Sequence, residues 1–183
     1  MTYLDAVDKK TLRELLSKCW MTHDAMWFYH CLQATDIETT NKVNLAAVRA
    51  MAGIEVQRLR RLIGLAPDQS PKDLEELKSF FEKAMDVVMP AFMKFSCRFE
   101  DPDTVHVAWQ PGECFAYKGI KGIGVIDRYV CGIFPRIEAW FDGLGLAYTV
   151  EPAVTGCMMH SHGECWRRYR VRFQGAEPPL RTG

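Results

Sequence analysis

Between residues 157 and 165 the chain reads Cys-Met-Met-His-Ser-His-Gly-Glu-Cys. Two cysteines bracket two histidines in a mirror pattern: Cys157, two residues, His160, one residue, His162, two residues, Cys165. Thiolate sulfur and imidazole nitrogen are the donors that zinc and other borderline-soft transition metals prefer. A four-ligand metal site could use Cys157, His160, His162 and Cys165, with zinc or another transition metal as cofactor. Only Ser161 separates the two Cys-x-x-His pairs, however, and familiar zinc modules put a dozen or more residues between pairs so that each approaches from its own side. The spacing therefore favours a subset of the four, completed by a distant group. Cys114 and Cys131 are the natural candidates, being near element ends in the same half of the chain. Two other chemistries stay open. Cys157 and Cys165 could face each other across a hairpin base as a redox pair, or they are packed thiols beside two solvated histidines.

A second cluster runs from Trp20 to His30: Trp-Met-Thr-His-Asp-Ala-Met-Trp-Phe-Tyr-His. His23 is four residues from both Cys19 and Trp27, and Trp20 is four from Asp24, so these pairs share helix faces. Among such aromatics, burial raises an aspartate pKa and lowers that of a histidine unless each finds a partner. Polar handles in apolar walls are how small-ligand pockets are built. Asn44 and Glu55 interrupt the apolar stripe of Val48 and Met51 in the same way. The candidate ligand-binding residues are thus His23, Asp24, Trp27, Asn44 and Glu55. The alternative is that His23 and Asp24 are ordinary hydrogen-bonded groups at a helix edge. The absence of a Glu-x-x-His pair argues against a ferritin-like di-iron centre. Near the end of the chain, Arg168, Arg170 and Arg172 alternate with Tyr169, Val171 and Phe173. That arginine face is either solvated or a grip for carboxylate or phosphate.

The elements that must position these residues follow from periodicity. Asp8 can cap a helix over 8–33, in which Leu12, Leu15, Leu16, Cys19 and Trp20 recur at helical spacing. A second helix spans 38–64 and ends near Gly64. Ser70-Pro71 opens a third, with Asp73 three residues on, which runs to Met89 before Pro90. The period then switches to alternation over 91–100 and 104–110, a hairpin around Asp101-Pro102-Asp103. Helices are expected over 119–131 and 133–143, then strands over 146–150 and 165–173, with the Cys157–Cys165 segment in the loop between them. Helices and antiparallel strands are segregated, so the fold class is α+β. Residues 1–90 form a helical part, 91–175 an antiparallel sheet with two further helices packed with it into one unit, and 176–183 a frayed tail.

Composition narrows the function. The 183 residues hold 23 Lys and Arg against 23 Asp and Glu, and a net charge of zero argues against nucleic acid and anionic membranes as partners. Met1–Lys10 lacks the apolar run of a signal peptide, and no stretch reaches the roughly 18–20 apolar residues of a membrane span. A cytoplasmic location is expected, where seven cysteines read as thiols, metal ligands or redox pairs instead of a disulfide framework. There is no phosphate loop, no Gly-x-Ser-x-Gly elbow and no His-Glu-x-x-His. Gly119–Gly124 is glycine-rich but lacks the strand and spacing of a dinucleotide fingerprint.

The run Trp20–Phe28, followed by Thr40-Asn41-Lys42-Val43-Asn44, resembles an uncharacterised bacterial family of cytosolic proteins, over most of the chain through Cys157 and Cys165. The C-terminal half is more loosely similar to the 4-vinyl reductase domain and to the L-2-amino-thiazoline-4-carboxylic acid hydrolase family, which place cysteines late in an α+β domain as Cys131, Cys157 and Cys165 stand here. The first of these two likenesses implies a small-molecule-sensing or tetrapyrrole-related ligand domain. The second implies hydrolysis of a carbon–nitrogen or carbon–sulfur bond. Three readings result. The first is a binding domain for a small molecule or metal using the late cysteines and histidines, with His23 and Asp24. The second is a metal- or thiol-dependent hydrolase, with Cys157 or Cys165 as nucleophile or ligand, His160 or His162 as proton carrier and Asp24 or Glu55 assisting. The third is an interaction protein whose exposed aromatics make a homodimer.

Overall fold

The computed structural model describes residues 2–66 and 69–173; the tail expected to fray beyond 175 lies outside the described residues. The first two long helices begin and end where local chemistry dictates. The Asp8 carboxylate accepts the Thr11 N–H at 3.0 Å to start α1 (Lys9–Ala34), and Asp36 accepts the Thr39 N–H at 2.7 Å to start α2 (Ile37–Ile63). Each cap satisfies a backbone donor that the helix itself cannot. Gly64, at φ 83°, ends α2 in the left-handed conformation that suits glycine.

Other elements depart from expectation. The third helix, α3, is Leu74–Val88 and is capped by Asp73, not Ser70. Asp73 accepts the Glu76 N–H at 2.8 Å while Glu76 reaches back to the Lys72 N–H at 3.0 Å, and this reciprocal pairing fixes the start. The first strand, β1, begins at Phe95 and not at 91, because a Met93 N–H to Pro90 carbonyl turn comes first. It runs to Glu100 and pairs with β2 (Thr104–Trp109). Glycines divide the expected helix over 119–131 into α4 (Phe115–Gly122) and a 3-10 turn over Ile126–Arg128, with Gly124 at φ 76° between them. After α5 (Ile133–Gly143) and β3 (Ala147–Glu151), the expected loop contains a one-turn helix, α6 (Met158–His162), ended by Gly163 at φ 76°. The last strand is β4 (Cys165–Arg172).

The strands form one antiparallel sheet in the order β1-β2-β4-β3. The expected fold class, α+β with segregated helices and antiparallel strands, is what the structure shows. The chain leaves the sheet after β2, passes through α4 and α5, and returns at the far edge as β3. In β4 the register sets Cys165, Arg167 and Tyr169 opposite Trp109, Val107 and Val105. These residues and Val171 are buried, while Arg168, Arg170 and Arg172 are exposed. Aromatic rings from α3 and α5 cover the inner face: Phe141 lies 5.1 Å from Tyr169 and 5.5 Å from Phe81, which lies 5.9 Å from Phe99. Burying each such ring contributes on the order of 2–3 kcal/mol. Behind α5, α2 approaches so closely that a Cβ on Gly143 would sit 2.3 Å from Val56 Cγ1. By contrast α1 buries Phe28 and leaves Leu15, Leu16, Cys19 and Trp20, the stripe that marked it as a helix, exposed.

Candidate functional site

A cavity of about 320 Å³ opens where α1, α2 and α4 meet the start of α5. Local sequence explains its shape. Asn41, one turn into α2, donates to the Arg128 carbonyl at 2.8 Å and accepts the Val130 N–H at 3.1 Å. That pair ties the segment after the 3-10 turn to α2. Gly132 then passes so near α2 that a Cβ there would be 3.1 Å from Asn44 Nδ2 and 3.4 Å from Val48 Cγ2. The Gly132 N–H donates to the Tyr129 hydroxyl at 3.2 Å, and the Tyr129 ring stands edge-on to Phe28 at 5.9 Å. Burial pushes the Tyr129 phenol far above its ordinary pKa, so it stays protonated.

Most of the wall is apolar. Trp20, Met21, Met51, Phe115, Ile120 and Ile133 are among the side chains that line it, and Asp24, Asn44, Arg136 and the phenols Tyr29 and Tyr129 are its members with polar side-chain atoms. Arg136 is already committed. Its Nε and one terminal nitrogen donate to Glu55 at 2.9 and 2.5 Å, and Glu55 also accepts the Trp140 indole N–H at 2.9 Å. The Arg136 guanidinium lies 5.2 Å from the centre of the Trp20 ring, a cation–π distance. Asp24 is different. It stands at the mouth, still exposed, and its carboxylate has no hydrogen bond or ion pair among the described residues. Desolvation by the apolar wall raises its pKa, and the charges of His23 and Arg136 oppose that rise.

The five residues expected to bind a ligand therefore divide. Asp24 and Asn44 line the cavity. Glu55 stands behind it, half-buried against Arg136 and Trp140 instead of facing a ligand. His23 and Trp27 are exposed on α1 and are not part of the wall. Periodicity put these residues on one helix but could not say which side faced inward. The sequence reading missed Arg136, Tyr129 and Gly132. Arg136, the one basic residue of α5 and one turn from Trp140, was the available signal.

The late cysteines and histidines also part company. The single turn of α6 is anchored by buried Met158 and Met159, which turns its sulfurs inward and its imidazoles outward. Cys157 and Cys165 are buried. His160 and His162 are exposed, His160 Nε2 lying 2.8 Å from Asp127 Oδ1 and His162 Nδ1 2.7 Å from Ser161 Oγ. The expected four-residue set is thus not gathered. The sulfurs instead join Cys114 and Cys131. The Cys131 N–H donates to the Thr155 carbonyl at 3.0 Å, the Gly112 N–H reaches Met159 Sδ at 3.2 Å, and Cys165 faces Trp109 across the sheet. All four are free thiols. Desolvation pushes Cys114 up to about 11 against an opposing backbone hydrogen bond from Tyr117, and desolvation with the neighbouring cysteines' charges pushes Cys165 up to about 12. Desolvation likewise raises Cys131 and Cys157. They are close enough to oppose one another's ionisation, yet among the described residues no three His, Cys, Asp or Glu side chains form a group that could hold a metal ion. A nucleophilic cysteine needs a depressed pKa, and burial acts here in the opposite direction.

The arginine face of β4 is occupied by surface pairs, Arg168 with Glu151 at 3.4 Å and Arg170 with Asp103 at 3.8 Å. Among the described residues no helix is long and apolar enough to cross a membrane. No protein-family model, curated protein or solved structure matches this chain.

Proposed function

We propose that the chain is a binding domain for a small, mostly apolar molecule carrying one cationic or strongly hydrogen-bond-donating group. The observation that supports this reading is the cavity itself: about 320 Å³ of space behind an apolar wall with few polar groups, the usual form of a small-ligand site. Arg136 is neutralised by Glu55, so the charge left for a ligand is the Asp24 carboxylate. A protonated amine placed against Asp24 would relieve its unpaired state, while the ligand body lies against Trp20, Phe28 and Met51. Met21, Met51 and Met93 give the wall adaptability. Free thiols fit a reducing compartment such as the cytosol. The test is a thermal-shift series with apolar amines and their matched carboxylates and neutral analogues. Amines should raise the melting temperature in proportion to ln(1 + [L]/Kd), and Met51→Trp, which fills the cavity, should abolish the shift. Equal shifts for amine and carboxylate, or an unchanged shift in Met51→Trp, reject the reading.

A second reading is favoured by the inward turn of four sulfurs. In it Cys114, Cys131, Cys157 and Cys165, which do not form a metal-holding group in this structure, rearrange to hold zinc or a similar ion, and His160 and His162 take no part. Thiolates would then replace thiols, since coordination offsets the burial that now opposes ionisation. Elemental analysis of protein purified without a histidine tag decides this. About one equivalent of metal supports it; less than about a tenth, with no shift in melting on adding zinc, rejects it.

A further inference from the structure

We infer that α1 pairs with α1 of a second copy, antiparallel, to make a homodimer. The inference does not rest on what fills the cavity, although Trp20 and Met26 also line its wall. Leu16, Trp20, His23, Trp27 and His30 follow one another at intervals of four, three, four and three residues, and all five are exposed. Three of the five are apolar and two are histidines, at the heptad spacing of a helix–helix seam. Leu15 and Met26 flank it. The exposed fractions are large for apolar side chains: Leu15 57%, Leu16 59%, Trp20 44%, Met26 50% and Trp27 38%. Isolated exposed apolar residues need no explanation, but a contiguous patch does.

The occupant follows from period, area and charge. A seam of heptad period fits another helix of the same period, and the copy of α1 on an identical chain supplies one through a two-fold axis, the commonest symmetry of soluble assemblies. At roughly 200–250 Å² for each large apolar residue, Leu16, Trp20 and Trp27 on the seam expose about 280–350 Å² per copy and the flanking Leu15 and Met26 about 210–270 Å² more, so two copies bury at most about 1,000–1,200 Å². Covering the flank as well as the seam brings the pair to the lower bound of a specific interface. Charge sets the direction. Lys9 and Lys10 are exposed at the start of α1, and Asp24 lies in its second half. A parallel pair would set these lysines against each other. An antiparallel pair brings them to the carbonyl end of the partner helix, where the helix dipole is negative. In that arrangement Leu16 lies opposite the second copy's Trp27, and Trp20 opposite its His23.

Two measurements test this. Sedimentation at micromolar concentration should give twice the chain mass for the natural protein and one chain mass for Leu16→Lys/Trp27→Lys, whose substitutions fall on exposed positions outside the cavity wall. In a Cys19→Ser background, Leu16→Cys/Trp27→Cys should form inter-chain disulfides on mild oxidation. Leu16→Cys alone should not, because its two copies would stand 11 residues, about 16 Å, apart along the pair. A monomeric natural protein, a lysine variant that stays dimeric, or cross-linking as fast with the single cysteine as with the pair overturns the proposal.

Discussion

Replacing Glu55 by alanine removes one carboxylate that three donors share: Arg136 Nε, an Arg136 terminal nitrogen and the Trp140 indole N–H. The pair is largely enclosed, with 21% of the Arg136 side chain and 15% of the Glu55 side chain accessible. Breaking a buried ion pair by removing one partner costs about 3–5 kcal/mol, because the surviving charge stays buried and unpaired. The residual solvent contact of Arg136 lowers that to about 2–4 kcal/mol, the orphaned indole included. For a chain of this size each kcal/mol lowers the melting temperature by about 2–4 °C, so a fall of roughly 5–15 °C is expected. Urea titrations followed by circular dichroism should show it, with Glu55→Gln costing less because an acceptor remains. Glu55→Ala/Arg136→Met should recover part of the loss by removing the stranded charge. A loss under about 1 kcal/mol for Glu55→Ala, or no recovery in the double variant, would show that the carboxylate does not hold Arg136 as described.

Gly143→Ala should destabilise by about 1–3 kcal/mol, since its new methyl group meets Val56 at 2.3 Å; an unchanged urea midpoint contradicts the close approach of α2 and α5. Asp24 has a raised pKa when folded, so the folded chain holds that proton more readily than the unfolded one, and its contribution to stability is lost as pH rises through the folded pKa. Asp24→Asn should therefore raise the melting temperature of the unliganded protein at neutral pH and give no gain below the usual carboxylate range; a loss at neutral pH would reveal a partner for Asp24. With burial holding Cys114 and Cys165 at about 11 and about 12, iodoacetamide at neutral pH should modify exposed Cys19 first. Mass spectrometry that finds Cys114, Cys131, Cys157 or Cys165 alkylated as fast in the folded state would refute their placement.

Much of the fold is written in neighbouring residues. Asp8, Asp36 and Gly64 bound two helices by contacts within three or four positions, and alternation in Phe95–Glu100 and Cys165–Arg172 marks strands whatever surrounds them. Such local signals carried the α+β class, the first hairpin and the two later strands. The one-turn helix α6 escaped because five residues hold no period, and it exists through burial of Met158 and Met159.

The candidate site was legible in its residue types and not in its geometry. Chain order gathers Cys157, His160, His162 and Cys165 into nine residues, yet only tertiary packing decides that the sulfurs turn toward Cys114 and Cys131 while the imidazoles meet solvent. Glu55 finds Arg136 from 81 positions away, and Asn41 finds Arg128 from 87. The amino-acid sequence alone determined the type and order of most elements and the bounds of α1 and α2, because caps, glycines and side-chain period act over one or two turns. Which face of each helix looks inward, and so which polar groups share a cavity, was settled by long-range burial that no local pattern encodes.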